Sequence, residues 1–330
     1  MPAEDQSTVE FTVETNDFGK RLDAFLAENI DGWSRSRLQR VIDGGDVQVN
    51  RKAAKASYKL RENDEIEVEL TEVPAARFEP ENIPLDIVFE DEFLAVINKP
   101  AGMVVHPGAG VQSGTLANAL AHHFKFKISD FKFDSSADEQ SKIQNLKSKV
   151  GIVHRLDKDT SGLIVVAKNE AIHDALATQF RNRGVFKSYV ALVHGSPREN
   201  SGKIDRPIAR DRWHRTKMTV AANGRNALSL WKVRRRFEKF TLLDVEIKTG
   251  RTHQIRVHLA SINHPVVGDE TYNEGRDKNV SDIEIRKVIQ NLNRQFLHAE
   301  KLAFIHPKTR ERLSFTAEIP SELKELLDLL

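Results

Sequence analysis

Hydrophobic and polar positions along the first 70 residues follow two different periods. Val9, Phe11 and Val13 alternate with polar neighbours, which predicts a short strand. Apolar residues then recur at helical spacing, and two alternating runs at 47–50 and 66–70 predict further strands. The helical positions are Leu22, Phe25, Leu26 and Ile30 in a first helix, and Leu38, Val41 and Ile42 in a second that starts at Ser34 and ends at Gly44-Gly45.

A proline-containing stretch separates this region from the rest of the chain. Residues 71–84 hold three prolines and show no clear periodicity, which is typical of a linker. We therefore expect an acidic N-terminal segment with a short strand at 1–17, a small domain at 18–72, a linker at 73–84 and a large domain at 85–330.

The large domain mixes strand and helix patterns, which favours an α+β fold. Short apolar runs at 87–89 and 94–97 predict strands, and helical spacing predicts helices from Thr115 and over 170–181. The most continuous apolar run, 163–167, follows a polar loop and predicts a buried strand. Loops at strand ends often carry function.

Composition narrows the class of protein. The chain has 330 residues, 30% of them charged, and no cysteine, which excludes disulfides and thiolate metal sites. The N-terminal string MPAEDQSTVE has neither the basic start nor the apolar core of a signal peptide, and no run approaches the roughly 18 apolar residues of a membrane span. We expect a soluble, cytoplasmic protein that does not contact a membrane.

Positive charge is concentrated in two stretches, although the net charge is only +2. Residues 20–61 hold 10 basic and 5 acidic residues, and residues 203–236 hold 11 basic and 2 acidic residues. Such stretches are typical of proteins that bind a polyanion, although two solvated surfaces would give the same counts.

The polar loop before the buried strand holds the candidate catalytic group. Asp157 has cationic neighbours at Arg155 and Lys158, which would keep its carboxylate ionised and suit it to act as a nucleophile or as a stabilising charge. The residues alone fit an ordinary surface turn at least as well.

Strings in and around this loop resemble the motifs of one enzyme family. HRLDKDTSG at 154–162 matches the HRLDxxTSG signature of the RluA-type pseudouridine synthases. Other strings resemble the remaining motifs of that family in the same order: KPAGMVVHP at 99–107, KSYVALVHG at 187–195, TGRTHQIRVH at 249–258 and FLHA at 296–299. The string SRSRLQRVIDGGDVQVNRK at 34–52 resembles the S4 domain, a small RNA-binding module. The combination is similar to the large-subunit ribosomal pseudouridine synthase D group.

The resemblance implies a fold and a reaction. It implies an α+β protein in which a small S4 domain precedes a catalytic domain with a mixed, largely antiparallel central sheet. It also implies an isomerase that converts uridine in RNA to pseudouridine, with large-subunit ribosomal RNA as the expected substrate and a monomer as the expected state. The reaction gains and loses no atoms, so no cofactor is expected.

The resemblance also implies roles for individual residues. Asp157 matches the essential aspartate of the family, either as a nucleophile or in an elimination, and Arg256 matches the arginine that pairs with it. Tyr189 matches the tyrosine that stacks on the uracil and assists removal of the C5 proton. Leu297 resembles the apolar residue beneath the base, and Arg155 resembles the side chain that fills the RNA stack when the base flips out. Expected RNA contacts are Arg35, Arg37, Arg40, Lys52, Arg215, Lys217 and Arg251.

Motifs for other chemistries do not fit the chain. Gly108, Gly110 and Gly114 lack the spacing and the βαβ unit of a dinucleotide site, and the sequence from Gly195 to Lys203 lacks the spacing of a phosphate-binding loop. His253 and His258 lie five apart in a strand-like run, which would place them on opposite faces, so no metal site is expected.

Three alternatives stay open at this point. A non-catalytic RNA-binding or ribosome-assembly factor could keep both domains, the same enzyme could act on transfer RNA, and a single active carboxylate could release the base as a glycosidase does. The segment 122–149 is expected to be an insertion, which either orders on RNA or forms a plain surface loop.

Overall fold

A computed structural model describes most of the chain in two compact units, 1–76 and 77–330. The described residues are 7–30, 33, 38–39, 41–42, 45–70, 80–107, 111, 113–124, 151–211, 213–214 and 217–330. The predicted insertion therefore lies almost wholly outside them. No helix within these ranges is both long enough and apolar enough to cross a membrane.

The first unit is a four-stranded antiparallel sheet with a helix packed on it. Its elements are β1 (Ser7–Thr12), a 3₁₀ turn (Thr15–Asp17), α1 (Leu22–Asn29), β2 (Val47–Val49), β3 (Lys52–Ala53) and β4 (Glu65–Leu70), and the strand order is β1-β4-β2-β3. The predicted first strand and first helix are confirmed.

The core of this unit is built from the helical positions of the sequence pattern. Leu22 and Leu26 of α1 are buried together with Leu38 and Val41 from the region of the predicted second helix. Most of that second helix lies outside the described residues, including Arg35, Arg37 and Arg40, the expected RNA contacts there.

The second unit is organised by a nine-stranded sheet with the order β5-β6-β7-β14-β8-β13-β12-β9, in which β15 also pairs with β14. Its strands are β5 (Ile87–Glu90), β6 (Leu94–Lys99), β7 (Ser161–Ala167), β8 (Phe186–His194), β9 (Ser201–Asp205), β12 (Leu228–Arg236), β13 (Phe240–Ile247), β14 (Leu297–Ile305) and β15 (Arg312–Thr316). Only β7 and β14 run parallel, so the sheet is mixed and largely antiparallel, as predicted.

Helices cover this sheet, and a separate hairpin adjoins it. The helices are α2 (Leu116–His123), α3 (Glu170–Arg181), α4 (Gln254–Ser261), α5 (Ile283–Leu292) and α6 (Ser321–Asp328), with a 3₁₀ turn at Arg276–Asn279. The hairpin pairs β10 (Ile208–Arg210) with β11 (Met218–Val220). The helices predicted from Thr115 and over 170–181 are confirmed.

The interpretation of the run from His253 to His258 as strand-like is wrong. His253 has left-handed backbone angles and precedes α4, and His258 lies within that helix. Residues 254–259 are all buried, the polar ones included, so this part of the helix has no solvent-exposed face. A helix without a solvent-exposed face shows no helical period in its sequence, which explains the error.

The central strand β7 fixes the position of the loop before it. All seven residues of β7 are buried, with β6 on one side and β14 on the other. Gly162 has φ +116°, and a Cβ there would lie 2.3–2.7 Å from backbone atoms of Ala299 on β14. Only glycine fits this position, so the glycine of the HRLDKDTSG string lets β14 approach the loop closely.

Candidate active site

The loop 154–160 is tied to its surroundings at both ends. The Nε2 atom of His154 accepts a hydrogen bond from the backbone N–H of Val165, 3.0 Å away, and the carbonyl of Lys158 accepts one from Lys99 Nζ at 3.0 Å. Burial, followed by the charge of Lys187, lowers the pKa of His154 to about 3, so its ring is neutral and can accept. The loop therefore has one defined conformation.

Lys99 is a buried cation that connects two of the recognised strings. Its side chain has no exposed surface, and its ammonium also donates to the carbonyls of Pro100 at 2.6 Å and Met103 at 2.9 Å. Burial lowers the pKa of Lys99 to about 7. The sequence analysis did not single out this lysine, although its place at the end of a strand of buried residues was visible.

Asp157 makes an ion pair with Arg256, as the resemblance implied. The Nη1 atom of Arg256 lies 3.2 Å from Oδ2 of Asp157. Arg256 is 7% exposed and projects from α4, whereas the sequence neighbours Arg155 and Lys158 are exposed. The countercharge for Asp157 thus comes from a residue 99 positions away.

A second carboxylate, Asp269, holds the other side of the same guanidinium. Its Oδ2 accepts from Nε of Arg256 at 2.6 Å and its Oδ1 accepts from Nη2 at 2.8 Å. The backbone N–H groups of Thr271 and Tyr272 also donate to Oδ1 of Asp269. Burial by itself would lower the pKa of Arg256, but the hydrogen bond and charge of Asp269, with the charge of Asp157, raise it overall. Asp269 lies outside the recognised motif strings and had no predicted role.

A cavity of about 330 Å³ lies beside this pair, and Asp157 is part of its wall. Tyr189 on β8 and Leu297 on β14 line the same cavity, and both are buried. The structure therefore brings Asp157, Arg256, Tyr189 and Leu297 together around one space. Arg155 and Arg251 also line it, and Arg251 Nε donates to the carbonyl of Asn226.

Two ionisable side chains of this cavity have shifted pKa values. Burial, followed by the charge of Asp157, raises the pKa of Tyr189, so the phenol stays protonated. Burial and the charge of Lys248 lower the pKa of Lys187 to about 8. Lys187 belongs to the KSYVALVHG string, but the sequence analysis gave it no role.

Part of the second basic stretch is engaged within the protein. Arg234 pairs with Asp244 and Glu300, and Arg236 donates to Ser196 and to loop carbonyls. These cations stabilise the sheet and a neighbouring loop, so the charge count overstates the surface offered to a polyanion. Of the expected RNA contacts, Lys52 is exposed on β3, Lys217 lies just before β11, and Arg215 is outside the described residues.

The two histidines near the site have separate partners. His253 Nδ1 lies 2.8 Å from the hydroxyl of Tyr272, whereas His258 contacts Ser229 Oγ and the carbonyl of Arg206, each at 2.9 Å. In the described ranges, no group of three or more histidine, aspartate or glutamate side chains is arranged to hold a metal ion.

Comparison with known proteins identifies the class to which this fold and site belong. The profile of the RNA pseudouridylate synthase family matches residues 93–261, and that of the S4 domain matches residues 20–66. The chain belongs to the RNA pseudouridylate synthase family, whose members are isomerases, and it carries an S4 domain before the synthase domain.

Individual relatives match almost the whole chain. An uncharacterized RNA pseudouridine synthase of Bacillus subtilis is 40% identical, with 97% of each chain covered. The ribosomal large subunit pseudouridine synthase D of Nitrosomonas europaea is 41% identical, with 98% of this chain and 88% of the relative covered. Among solved structures, human RNA pseudouridylate synthase domain containing 1 matches with a TM-score of 0.52 and 25% identity, over 72% of this chain and 84% of the human one.

Proposed function

We propose that this protein converts uridine to pseudouridine in large-subunit ribosomal RNA and that Asp157 is the essential catalytic group. One observation carries the assignment of the site: Asp157 is at the wall of the cavity and is paired with an arginine that a second carboxylate holds in place. Relatives named ribosomal large subunit pseudouridine synthase D support the choice of RNA.

The reaction breaks the bond between N1 of uracil and C1′ of ribose, and forms a bond between C5 and C1′. The hydrogen on C5 leaves and N1 gains one, so atoms and electrons balance without a further reactant. Arg256 contacts Oδ2 of Asp157, and we assign Oδ1 to the sugar. Attack on C1′ and assistance of an elimination both require an ionised carboxylate, and Arg256 supplies its countercharge.

Tyr189 and Leu297 provide the surfaces that hold the base. Both line the cavity of about 330 Å³, which is large enough for a uracil ring. The raised pKa of Tyr189 keeps its phenol protonated, so we assign the ring a packing role against the base rather than removal of the C5 proton. Arg155, which is exposed at the cavity, would take the place of the flipped uridine in the RNA.

Phosphate contacts would come from cations of both units. Lys52 in the first unit and Lys217 and Arg251 in the second are the described candidates, together with Arg35, Arg37, Arg40 and Arg215. Such contacts position an RNA without reading its sequence. We also propose that the protein acts as a monomer in the cytoplasm.

Pseudouridine mapping tests the proposed substrate. Ribosomal and transfer RNA from cells that lack the protein would be compared with RNA from cells in which the wild-type gene is restored. We expect specific pseudouridines of large-subunit ribosomal RNA to disappear and to return with the gene. Loss of sites in transfer RNA would move the substrate to that RNA, and loss of no site would favour a non-catalytic binding factor.

A further inference from the structure

Trp213 is the most exposed large hydrophobic side chain in the described part of the protein. It is 87% exposed and lies in the turn between β10 and β11. Tryptophan is highly buried on average, and it is enriched where a protein surface contacts a partner. Neither the catalytic cavity nor the core uses this side chain.

Hydrogen bonds hold the backbone at the described residues of the turn that carries Trp213, which are 211, 213, 214 and 217. Oδ1 of Asp211 accepts hydrogen bonds from the backbone N–H groups of Trp213 and His214, each at 2.8 Å. Backbone bonds between Asp211 and Lys217, and between Lys217 and His214, close the same turn. The bonds from His214 and Trp213 lower the pKa of Asp211, so this carboxylate stays charged. Because these bonds already hold the backbone of Trp213, a contact on the indole costs less conformational entropy.

The base of the hairpin is connected to the active site. Met218 packs beside Val257 of α4, the helix that carries Arg256, and the backbone N–H of Met218 donates to the hydroxyl of Tyr272 at 2.8 Å. The ring of Tyr272 lies 5.1 Å from the guanidinium carbon of Arg256. Trp213 is five residues from Met218, and five fully extended residues span at most about 18 Å. The indole is therefore within a few nucleotides of the catalytic cavity.

The charge around the indole indicates which partner it contacts. Arg210 is exposed at one end of the turn, and Lys217 lies at the other. The one described carboxylate of the turn, that of Asp211, accepts hydrogen bonds from the backbone N–H groups of Trp213 and His214. Within the described residues of the hairpin, Trp213 is the only exposed large hydrophobic side chain, so there is no wider apolar patch of the kind that a protein partner requires. An isolated aromatic ring among cations is the arrangement that binds single-stranded nucleic acid, because the ring stacks on a base while the cations contact phosphates.

We propose that Trp213 stacks on an unpaired base of the substrate RNA, a few nucleotides from the target uridine. This proposal rests on the proposed function for the identity of the RNA. The indole thereby selects RNA in which a nearby nucleotide is unpaired, and the hairpin sets the distance between that nucleotide and the target.

The test measures RNA affinity in full-length variants that differ at this side chain. Trp213→Ala removes the ring, and Trp213→Phe keeps an aromatic face. The probes are a transcript of large-subunit ribosomal RNA and inorganic polyphosphate, which carries charge but no bases. We expect Trp213→Ala to bind the transcript about tenfold more weakly and Trp213→Phe to stay within about threefold of wild type. Polyphosphate binding should be equal in all three proteins.

A matched control is Ile283→Ala, which removes another exposed hydrophobic side chain of the same unit, 58% exposed, outside the hairpin. Its affinity for the transcript should equal that of wild type. Unchanged RNA affinity in Trp213→Ala would overturn the proposal, and so would an equal loss of affinity for RNA and polyphosphate. Because binding is measured without turnover, a wild-type protein that binds RNA through Trp213 but makes no pseudouridine would contradict the proposed function alone.

Discussion

Two arginines of the second unit each hold two carboxylates, and they differ in what they leave accessible. Arg234 donates to Asp244 and to both oxygens of Glu300 on the face of the sheet. Arg256 donates two hydrogen bonds to Asp269 but only one, of 3.2 Å, to Asp157. In the first centre, Arg234 therefore makes two hydrogen bonds to each of its carboxylates. In the second centre, Arg256 makes only one to Asp157, which lies beside a cavity.

The comparison separates the ion pair that we propose to be catalytic from one that has a structural role. In each centre the better buried carboxylate, Asp269 or Glu300, fixes the arginine. The other carboxylate of the first centre is Asp244, which is 34% exposed and pairs with Arg234 on the adjacent strand. The other carboxylate of the second centre is Asp157, which is 18% exposed and lines the cavity. We infer that stability depends on the first centre and turnover on the second.

The largest expected effect is that of Asp157→Asn on turnover. The change removes the charge that acts on the sugar, but Arg256 stays paired with Asp269, so the fold should persist. We expect release of tritium from uracil C5 in labelled RNA to fall by at least about 10³-fold with unchanged RNA affinity. Asp244→Asn is the matched control, with turnover within about threefold of wild type. Equal losses in both variants would remove the distinction between the two centres.

Arg256→Lys should reduce turnover by about 10²-fold. Lysine keeps the charge but cannot donate to two carboxylates in the fixed geometry of a guanidinium. The matched change Arg234→Lys should lower the free energy of unfolding by about 1–3 kcal/mol and leave turnover unchanged. Single-turnover kinetics and urea unfolding of both proteins measure the two effects, and normal turnover in Arg256→Lys would contradict the role of its geometry.

Asp269→Asn should reduce turnover by about tenfold, because Arg256 loses the partner that orients it. RNA affinity should not change, since Asp269 is buried and lies behind the arginine. If Asp269 acts through Arg256, Asp269→Asn should have almost no further effect on turnover once Arg256 is already lysine. A double-mutant cycle measures this dependence. Additive losses would instead indicate a general structural role.

Glu300→Gln should have the smallest effect on turnover. It tests the first centre through the pH dependence of the unfolding free energy. Burial opposes ionisation of Glu300, but the hydrogen bond and charge of Arg234 lower its pKa overall from the ordinary value of 4.5. The pair therefore stabilises the fold above pH 4.5, and this contribution disappears as the pH falls through the lower folded pKa. Unfolding free energies of wild type and Glu300→Gln should differ by about 1–3 kcal/mol at pH 7 and converge in acid. Glu318→Gln removes a carboxylate of 90% exposure that pairs with Lys324. Because exposed ion pairs contribute little to stability, its unfolding free energy should stay close to that of wild type at every pH.

The pattern of apolar residues predicted those elements that have one buried and one solvated face. The helix Glu170–Arg181 is confirmed to the residue because one face is buried and the other is solvated. The helix Gln254–Ser261 was missed because its first six residues are buried all round. A helical period in the sequence arises when one face of a helix is buried and the other is solvated. The first six residues of this helix have no solvated face, so no helical period is visible.

The candidate site was predictable only through its motif strings. Asp157 and Arg256 were found because they match positions of a known family, while their pairing depends on the fold. Asp269 was missed because nothing local marks an aspartate that binds an arginine 13 positions away. Arg234 and Arg256 look alike in the sequence, since the carboxylates that distinguish them are brought close by strand pairing and helix packing.

One measurement tests the central claim most directly. Cells that lack the protein would be supplied with wild type, Asp157→Asn or Asp244→Asn, and pseudouridines in ribosomal RNA would be mapped in each. We predict that the missing sites return with wild type and with Asp244→Asn, and that none returns with Asp157→Asn, although that variant is present at the same level and binds RNA. Restoration of the sites by Asp157→Asn would contradict the assignment of Asp157 as the catalytic group.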